Sequence, residues 1–128
     1  MTSIAITMTA FYIQNQTQDQ IQKQVLIDNV PINPGESLSK EKEVESGQRM
    51  QLVIHYPVFG ALLNAKIIDP NGMIIIDVNS TSYDRELYAT FKASNAGKYT
   101  VTITNYAFRL VPIHVIFNNI ENLVQNNS

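Results

Sequence analysis

Beyond residue 20 the chain consists of short stretches in which apolar and polar residues alternate, separated by turn-forming residues. In Glu86–Lys92, Leu87, Ala89 and Phe91 fall on one face, because successive side chains of a strand point to opposite sides. The stretches of this kind are Gln24–Val30, Leu38–Glu45, Arg49–Tyr56, Leu62–Asp69, Met73–Asn79, Glu86–Lys92, Gly97–Tyr106 and Arg109–Asn118. The pattern predicts an all-β domain over residues 21–120. We expect an antiparallel two-sheet β-sandwich of about eight strands, with jelly-roll or immunoglobulin-like topology and a tail over residues 121–128.

Turn signals divide these strands. Pro31 and Pro34 are expected to end the first strand, because proline cannot donate to a strand ladder. Asp69-Pro-Asn-Gly72 fits a type I turn followed by a residue with positive φ, and it is the strongest hairpin signal in the chain. Leu38–Glu45 carries alternating Lys and Glu, which is typical of an edge strand that resists pairing with other molecules.

The first 20 residues form a hydrophobic segment and a connector with a different pattern. Ile4–Ile13 is apolar apart from two threonines, and glutamine then occupies every second position from Gln14 to Gln24. The positions between the first glutamines are polar too, so neither face of this stretch could be buried. We therefore interpret it as a solvated connector between the apolar segment and the sandwich.

Three structures remain open for this N-terminal extension: a stalk helix, a strand in its own sheet or donated to a neighbour, and a tether. As a helix, Ile4–Ile13 would be about 15 Å long, half a bilayer, and could be the outer end of a membrane anchor that begins before Met1. Residues 1–13 are accordingly a candidate membrane contact. The apolar side chains available to lipid or to a neighbouring subunit are Ile4, Ile6, Met8, Phe11 and Ile13.

Composition agrees with a β-rich fold and narrows the function. The chain has 16 Ile, 10 Val and 9 Thr against 8 Leu and 8 Ala, and β-branched side chains favour strands. The net charge of −2 comes from interspersed signs, so no basic stripe is present and nucleic acid is not an expected partner. The absence of cysteine excludes disulfides and thiolate sites.

Two segments, KIIDPNGMIII and ELYATFKASNAGKYTVTITN, resemble a known family pattern. The matching residues are Asp69, Pro70, Asn71, Gly72, Phe91, Ala93, Gly97, Tyr99 and Asn105. The pattern is similar to the GOLD (Golgi-dynamics) domain of membrane-anchored cargo adaptors and related prokaryotic surface proteins, and secondly to bacterial pre-peptidase C-terminal domains. The resemblance implies a β-sandwich that acts as a non-catalytic interaction module outside the cytoplasm. GOLD adaptors usually carry a cysteine pair that this chain lacks, so cargo sorting does not carry over.

Candidate chemistry is sparse. His55 and His114 are the two imidazoles of the chain, and the alternation of side chains along their strands predicts that both lie on the solvent side. Neither has a second ligand at metal-binding spacing on its own strand. Asp69-Pro-Asn-Gly72 lacks the further carboxylates that calcium requires. We expect no enzyme activity, cofactor, metal or small-molecule substrate. Sequons at Asn15, Asn79 and Asn126 are candidate glycosylation sites.

The loop Pro57–Leu63 is almost wholly apolar, whereas connecting loops usually carry polar residues. Two interpretations are open: Phe59 and Leu62 plug one end of the sandwich, or Val58 and Phe59 protrude and dock a partner. The resulting hypothesis is an extracytoplasmic protein-binding module, at a cell surface or in a lumen, tethered by its N-terminal segment. The alternative is a structural subunit of an extracellular, pilus-like filament, in which that segment packs on or inserts into a neighbour.

Overall fold

The computed structural model describes residues 25–58, 60–81 and 85–120. Its eight strands are β1 (Val25–Ile32), β2 (Ser37–Val44), β3 (Arg49–His55), β4 (Leu63–Ile68), β5 (Ile74–Asn79), β6 (Glu86–Lys92), β7 (Gly97–Asn105) and β8 (Val111–Asn119). They coincide with the predicted stretches to within a few residues at each end. The all-β prediction is confirmed.

The strands form two antiparallel four-stranded sheets. The front sheet has the order β1-β8-β3-β6 and the back sheet β2-β7-β4-β5. The chain crosses from one sheet to the other at every connection except β4–β5 and so winds as a jelly roll. The predicted sandwich is confirmed, and its strand order is that of the jelly roll rather than the immunoglobulin fold.

The core lies between the inner faces of the two sheets. The alternating apolar residues of β7 and β8 are fully or almost fully buried, as their spacing predicts: Tyr99, Val101, Ile103, Val111, Ile113, Val115 and Phe117. The ring of Phe91 from β6 stacks against Tyr99 and Phe117, with centroid distances of 5.5 and 6.0 Å. This aromatic group joins the two sheets near the end at which β1 begins.

The first strand corrects one expectation. Pro31 was predicted to end it, and this is wrong: β1 continues to Ile32, and Pro31 lies opposite Pro112 of β8. The strand forms an edge of the front sheet, so a residue without an N–H group can be accommodated on the side that has no neighbour.

The edge position predicted for the second strand is confirmed. β2 pairs only with β7 among the described strands. Its Lys42 turns towards the space between the sheets, and Nζ donates to the backbone carbonyl of Phe117 and lies 5.8 Å from the centroid of that ring. Desolvation lowers the pKa of Lys42. An inward-pointing lysine of this kind discourages another strand from adding to the edge.

The predicted hairpin is confirmed and is tied to a neighbouring turn. The Asp69 side chain accepts hydrogen bonds from the N–H groups of Asn71 and Met73, at 2.9 and 2.8 Å, and Gly72 has φ +84°. Gly97 at the start of β7 has φ +142°, and a Cβ atom there would lie 2.8 Å from Cγ of Pro70. The two turns therefore fit together only without a side chain at position 97.

We predict that Gly97→Ala lowers the free energy of unfolding by about 2–3 kcal/mol, because it combines a glycine-only backbone conformation with a clash. Gly47→Ala is the matched control: its φ is +87°, but an added Cβ meets no atom within 4 Å. The control should cost about 1–2 kcal/mol from backbone strain alone. Urea denaturation followed by circular dichroism measures both, and equal losses would mean that the contact with Pro70 contributes nothing.

Candidate functional site

The described residues of four connections lie together at one end of the sandwich: 33–36, 56–58 with 60–62, 80–81 with 85, and 106–110. The antiparallel registers place them there, since odd-numbered strands end and even-numbered strands begin at this end. We call it the loop end. The first described residue, Val25, lies at the opposite end, about 25 Å away along the eight residues of β1.

The loop end exposes a group of large apolar side chains that come from two of these loops. The exposed fractions are 46% for Leu62, 58% for Tyr106, 100% for Phe108 and 47% for Leu110. The N–H group of Tyr106 donates to the carbonyl of Leu62 at 2.8 Å, so the two loops are in direct contact. We call these four residues the apolar tip. Single exposed apolar residues are ordinary, but a group formed by adjoining loops is typical of a contact surface.

The buried side chain of Asn105 fixes the loop that carries the tip. Its Nδ2 donates to the carbonyls of Ile32 and Arg109, each at 2.9 Å. Its Oδ1 accepts from the N–H group of Ala107 at 2.9 Å. One fully buried amide thus connects the end of β1 with both sides of Phe108, so the exposed ring stands on a backbone held in one conformation.

The apolar loop singled out from the sequence contributes only part of the tip. Val58 is half-buried and packs against the core, and Ala61 is fully buried. Leu62 is too exposed to plug the sandwich, and Tyr56 and Ala61 are buried there instead. Phe59 lies outside the described residues. Tyr106, Phe108 and Leu110, which the apolar pattern of residues 57–63 did not predict, supply the rest.

Most of the other candidate residues lie outside the described part of the chain. These are the N-terminal candidates Ile4, Ile6, Met8, Phe11 and Ile13 and the sequon residues Asn15 and Asn126. Asn79 is exposed at the end of β5, and its Oδ1 accepts a hydrogen bond from Asn64 Nδ2 at 2.9 Å.

The two histidines lie on the outer face of the front sheet, on adjacent strands. His55 of β3 and His114 of β8 are direct partners in the register, with ring centroids 6.2 Å apart. Each Nδ1 has a carboxylate nearby: Glu86 at 3.8 Å from His55 and Asp28 at 3.3 Å from His114. The spacing of residues along each single strand did not predict this arrangement, because it depends on the pairing of β3 with β8.

Two further kinds of site were sought: a metal centre with several protein ligands and a membrane-spanning helix. The described residues contain no group of three or more His, Cys, Asp or Glu side chains arranged to hold a metal ion. Within the same ranges, no helix is long and apolar enough to cross a bilayer. One open depression of about 360 Å³ on the described surface is lined by Val25, Leu26, Asp28 and His114.

Comparison with known proteins yields likeness of fold only. No family model and no curated protein matches the sequence. The pre-peptidase C-terminal domain of a collagenase from Bacillus anthracis matches with a TM-score of 0.54 and 13% identity, covering 71% of this chain and 90% of that one. A periplasmic inhibitor of g-type lysozyme from Aeromonas hydrophila gives 0.54 and 14%, covering 70% and 81%. A β-glucosidase from Streptomyces venezuelae gives 0.53 and 9%, covering 76% of this chain but 12% of that one.

The pre-peptidase resemblance is therefore supported at the level of the fold, whereas the GOLD resemblance is not shown. The first two of these structures are similar in size to this domain; by their names, one is a domain of a collagenase and the other a periplasmic lysozyme inhibitor. At such low identity these names assign no activity to this chain.

We predict that Asn105→Ala lowers the free energy of unfolding by about 3 kcal/mol, because it leaves two carbonyls and one N–H group without their partner in a dry environment. Asn71→Ala is the matched control on an exposed turn and should change stability by less than about 0.5 kcal/mol. Urea denaturation measures both. Equal stability of the two variants would show that Asn105 does not hold the loop end together.

Proposed function

We propose that this chain is a non-catalytic, extracytoplasmic β-sandwich module that binds a partner protein through the apolar tip and is tethered by its N-terminal segment. The observation that carries the proposal is the complete exposure of Phe108 on a loop fixed by a buried amide. A fully hydrated phenyl ring gains free energy when a partner covers it, and a preformed loop loses little entropy on binding.

The composition of the loop end supports a protein partner. Aromatic residues are enriched at the centres of protein interfaces, and polar residues form their rims. Tyr106 and Phe108 provide the centre, and the exposed residues Asn33, Glu36 and Arg109 lie on the same loops or the adjoining one. The partner we expect therefore offers an apolar pocket with a polar border.

The direction of the chain supports the tethered arrangement. The N-terminal segment precedes Val25, which lies at the end opposite the tip. If residues 1–13 enter a membrane, the apolar tip points away from that membrane and towards proteins in the surrounding space. The periplasmic inhibitor and the pre-peptidase domain, which share the fold, add support for an extracytoplasmic location.

A non-catalytic role is supported by two observations: Asp69 has a structural role in its turn, and the histidines lie on an open surface. The Asp69 carboxylate accepts two backbone hydrogen bonds in its turn. The two histidines lie on an open sheet surface rather than in a cleft that could exclude water.

We predict that a photo-crosslinking amino acid at position 108 captures one discrete protein when the full chain is expressed in its own host. The matched control places the same amino acid at position 45, because Glu45 is also exposed and lies at the opposite end, but outside the apolar edge of β5. Excess unlabelled wild-type chain should suppress the adduct, and excess Phe108→Ser chain should suppress it at least tenfold less well.

Equal adducts at both positions would contradict the proposal, because they would report random collisions. Attachment to lipid alone at position 108 would also overturn it and would make the tip a membrane contact.

A second candidate function, a subunit of an extracellular filament, is favoured by the free edge of β5. This strand pairs only with β4 among the described strands, and Met73, Ile74 and Ile75 are exposed by 65%, 55% and 37%. An apolar edge of this kind can accept a strand from another molecule, such as the N-terminal segment of a neighbour.

We predict that, if the filament role holds, the full chain forms concentration-dependent oligomers and Ile74→Lys shifts them to monomers, since a charge would be buried in the added pair. Thr90→Lys, on the exposed edge strand β6, is the control and should assemble like the wild type. Sedimentation velocity measures both. A wild-type chain that stays monomeric excludes this role and leaves the proposal for the apolar tip intact.

A further inference from the structure

Four ionisable side chains form a row across the outer face of the front sheet, one from each strand. Asp28 is on β1, His114 on β8, His55 on β3 and Glu86 on β6. The register pairs His55 with His114 on one side and with Glu86 on the other. The two imidazole rings are therefore adjacent, and each is flanked by a carboxylate on its outer side.

The backbone of β1 is distorted at the position that supplies Asp28. The pairing of β1 with β8 shifts between Ile27 and Val30, so that an extra residue lies opposite β8. Asn29 within this bulge has φ +52° and is the one non-glycine residue with positive φ in the described ranges. Bulges redirect side chains and are common beside functional sites, and positive φ in a non-glycine residue carries strain. Here the bulge accompanies a carboxylate 3.3 Å from an imidazole nitrogen.

We propose that His55 and His114 together bind one divalent transition-metal ion through their Nε2 atoms, with Asp28 and Glu86 acting as positioning residues. Metal-binding histidines commonly present one ring nitrogen to the metal and the other to a carboxylate, which fixes the orientation of the ring. In both rings the nitrogen beside the carboxylate is Nδ1. Imidazole ligands suit zinc, copper and nickel.

The spacing of the rings is close to that of a shared ion. With Zn–N bonds of about 2.0–2.1 Å and a tetrahedral N–Zn–N angle, two imidazoles on one zinc ion place their ring centroids about 5.2 Å apart. The observed separation is 6.2 Å, with the ring planes inclined by 40°. The two rings would therefore have to approach each other by about 1 Å to share one ion.

Access from solvent also points to Nε2. Nδ1 of His114 is shielded from water, although 28% of the side chain is exposed, so the exposed part of the ring comprises other atoms. Its contact with Asp28 lacks hydrogen-bond geometry, and rotation of the ring on metal binding could improve that contact. The His55 side chain is 46% exposed.

The second carboxylate is itself held in place. Glu86 accepts a hydrogen bond from the hydroxyl of Tyr88, which raises the pKa of that tyrosine. The described residues offer no third protein ligand, so water or a ligand from outside would complete the coordination. This site is on the side of the sandwich and is independent of the apolar tip.

The composition of the chain removes the usual competing metal ligands from the test. It contains two histidines and no cysteine, so no other imidazole or thiolate can account for binding. The experiment uses the full chain without an affinity tag and measures zinc chloride binding by isothermal titration calorimetry. We expect one zinc ion per chain, with binding weakened at least tenfold in His55→Gln and equally in His114→Gln.

The carboxylates provide a second, independent readout. Asp28→Asn and Glu86→Gln should each weaken zinc binding by about 10- to 100-fold, as is usual for residues that orient a metal ligand. Glu41→Gln is the matched control: this exposed carboxylate lies on β2 of the other sheet and should leave affinity unchanged. Circular dichroism verifies that every variant is folded.

Two results would overturn the proposal. One is the absence of saturable zinc binding by the wild-type chain. The other is binding that survives both histidine substitutions, which would assign it to surface carboxylates. Broadening of the imidazole C–H proton signals of both histidines by Cu²⁺ in the wild type would support the shared site, and broadening of one alone would contradict it.

Discussion

Two sheets that are each apolar on one face are stable only when those faces are buried against each other, and the rest of this structure depends on that packing. The inner residues Val101, Ile103 and Ile113 have no measurable exposure, whereas the threonines between them on β7 face outward. With this strand order, six of the seven connections cross from one layer to the other. The crossings gather the loops at the two ends of the sandwich.

The packed core acts on the loop end through Asn105. This residue lies in the inward-facing register of β7 with Tyr99, Val101 and Ile103, where the next position would ordinarily be apolar. Its amide instead satisfies three backbone groups that the crossing loops leave without partners. A polar group at the end of the core thus stabilises a loop that holds apolar groups in water. Exposed apolar groups on a fixed loop are what the proposed binding role requires.

The sequence was sufficient to locate all eight strands. One face of each strand must be buried, and this burial produces an apolar residue at every second position. It was insufficient where the outcome depends on which strands become neighbours. Whether Pro31 ends β1 depends on that strand being an edge, and the proximity of His55 to His114 depends on β3 pairing with β8. Neither pairing is local in the chain.

Part of the apolar tip could have been predicted from the sequence. Tyr106 continues the outward-facing positions of Thr102 and Thr104, and Leu110 precedes the inward-facing Val111 and so has the outward parity of β8. Parity alone therefore indicates exposure of these two residues. The complete exposure of Phe108 could not be read in this way, because it depends on how the amide of Asn105 shapes the loop.

Hydroxyl-radical footprinting of the full chain, compared between the purified state and its native cellular setting, tests the central claim most directly. If the loop end binds a partner, oxidation of Tyr106 and Phe108 is several-fold lower in the native setting, while Met73 at the other end is oxidised equally in both. Equal oxidation of Phe108 in the two states, or protection confined to Met73, would contradict a binding role for the loop end.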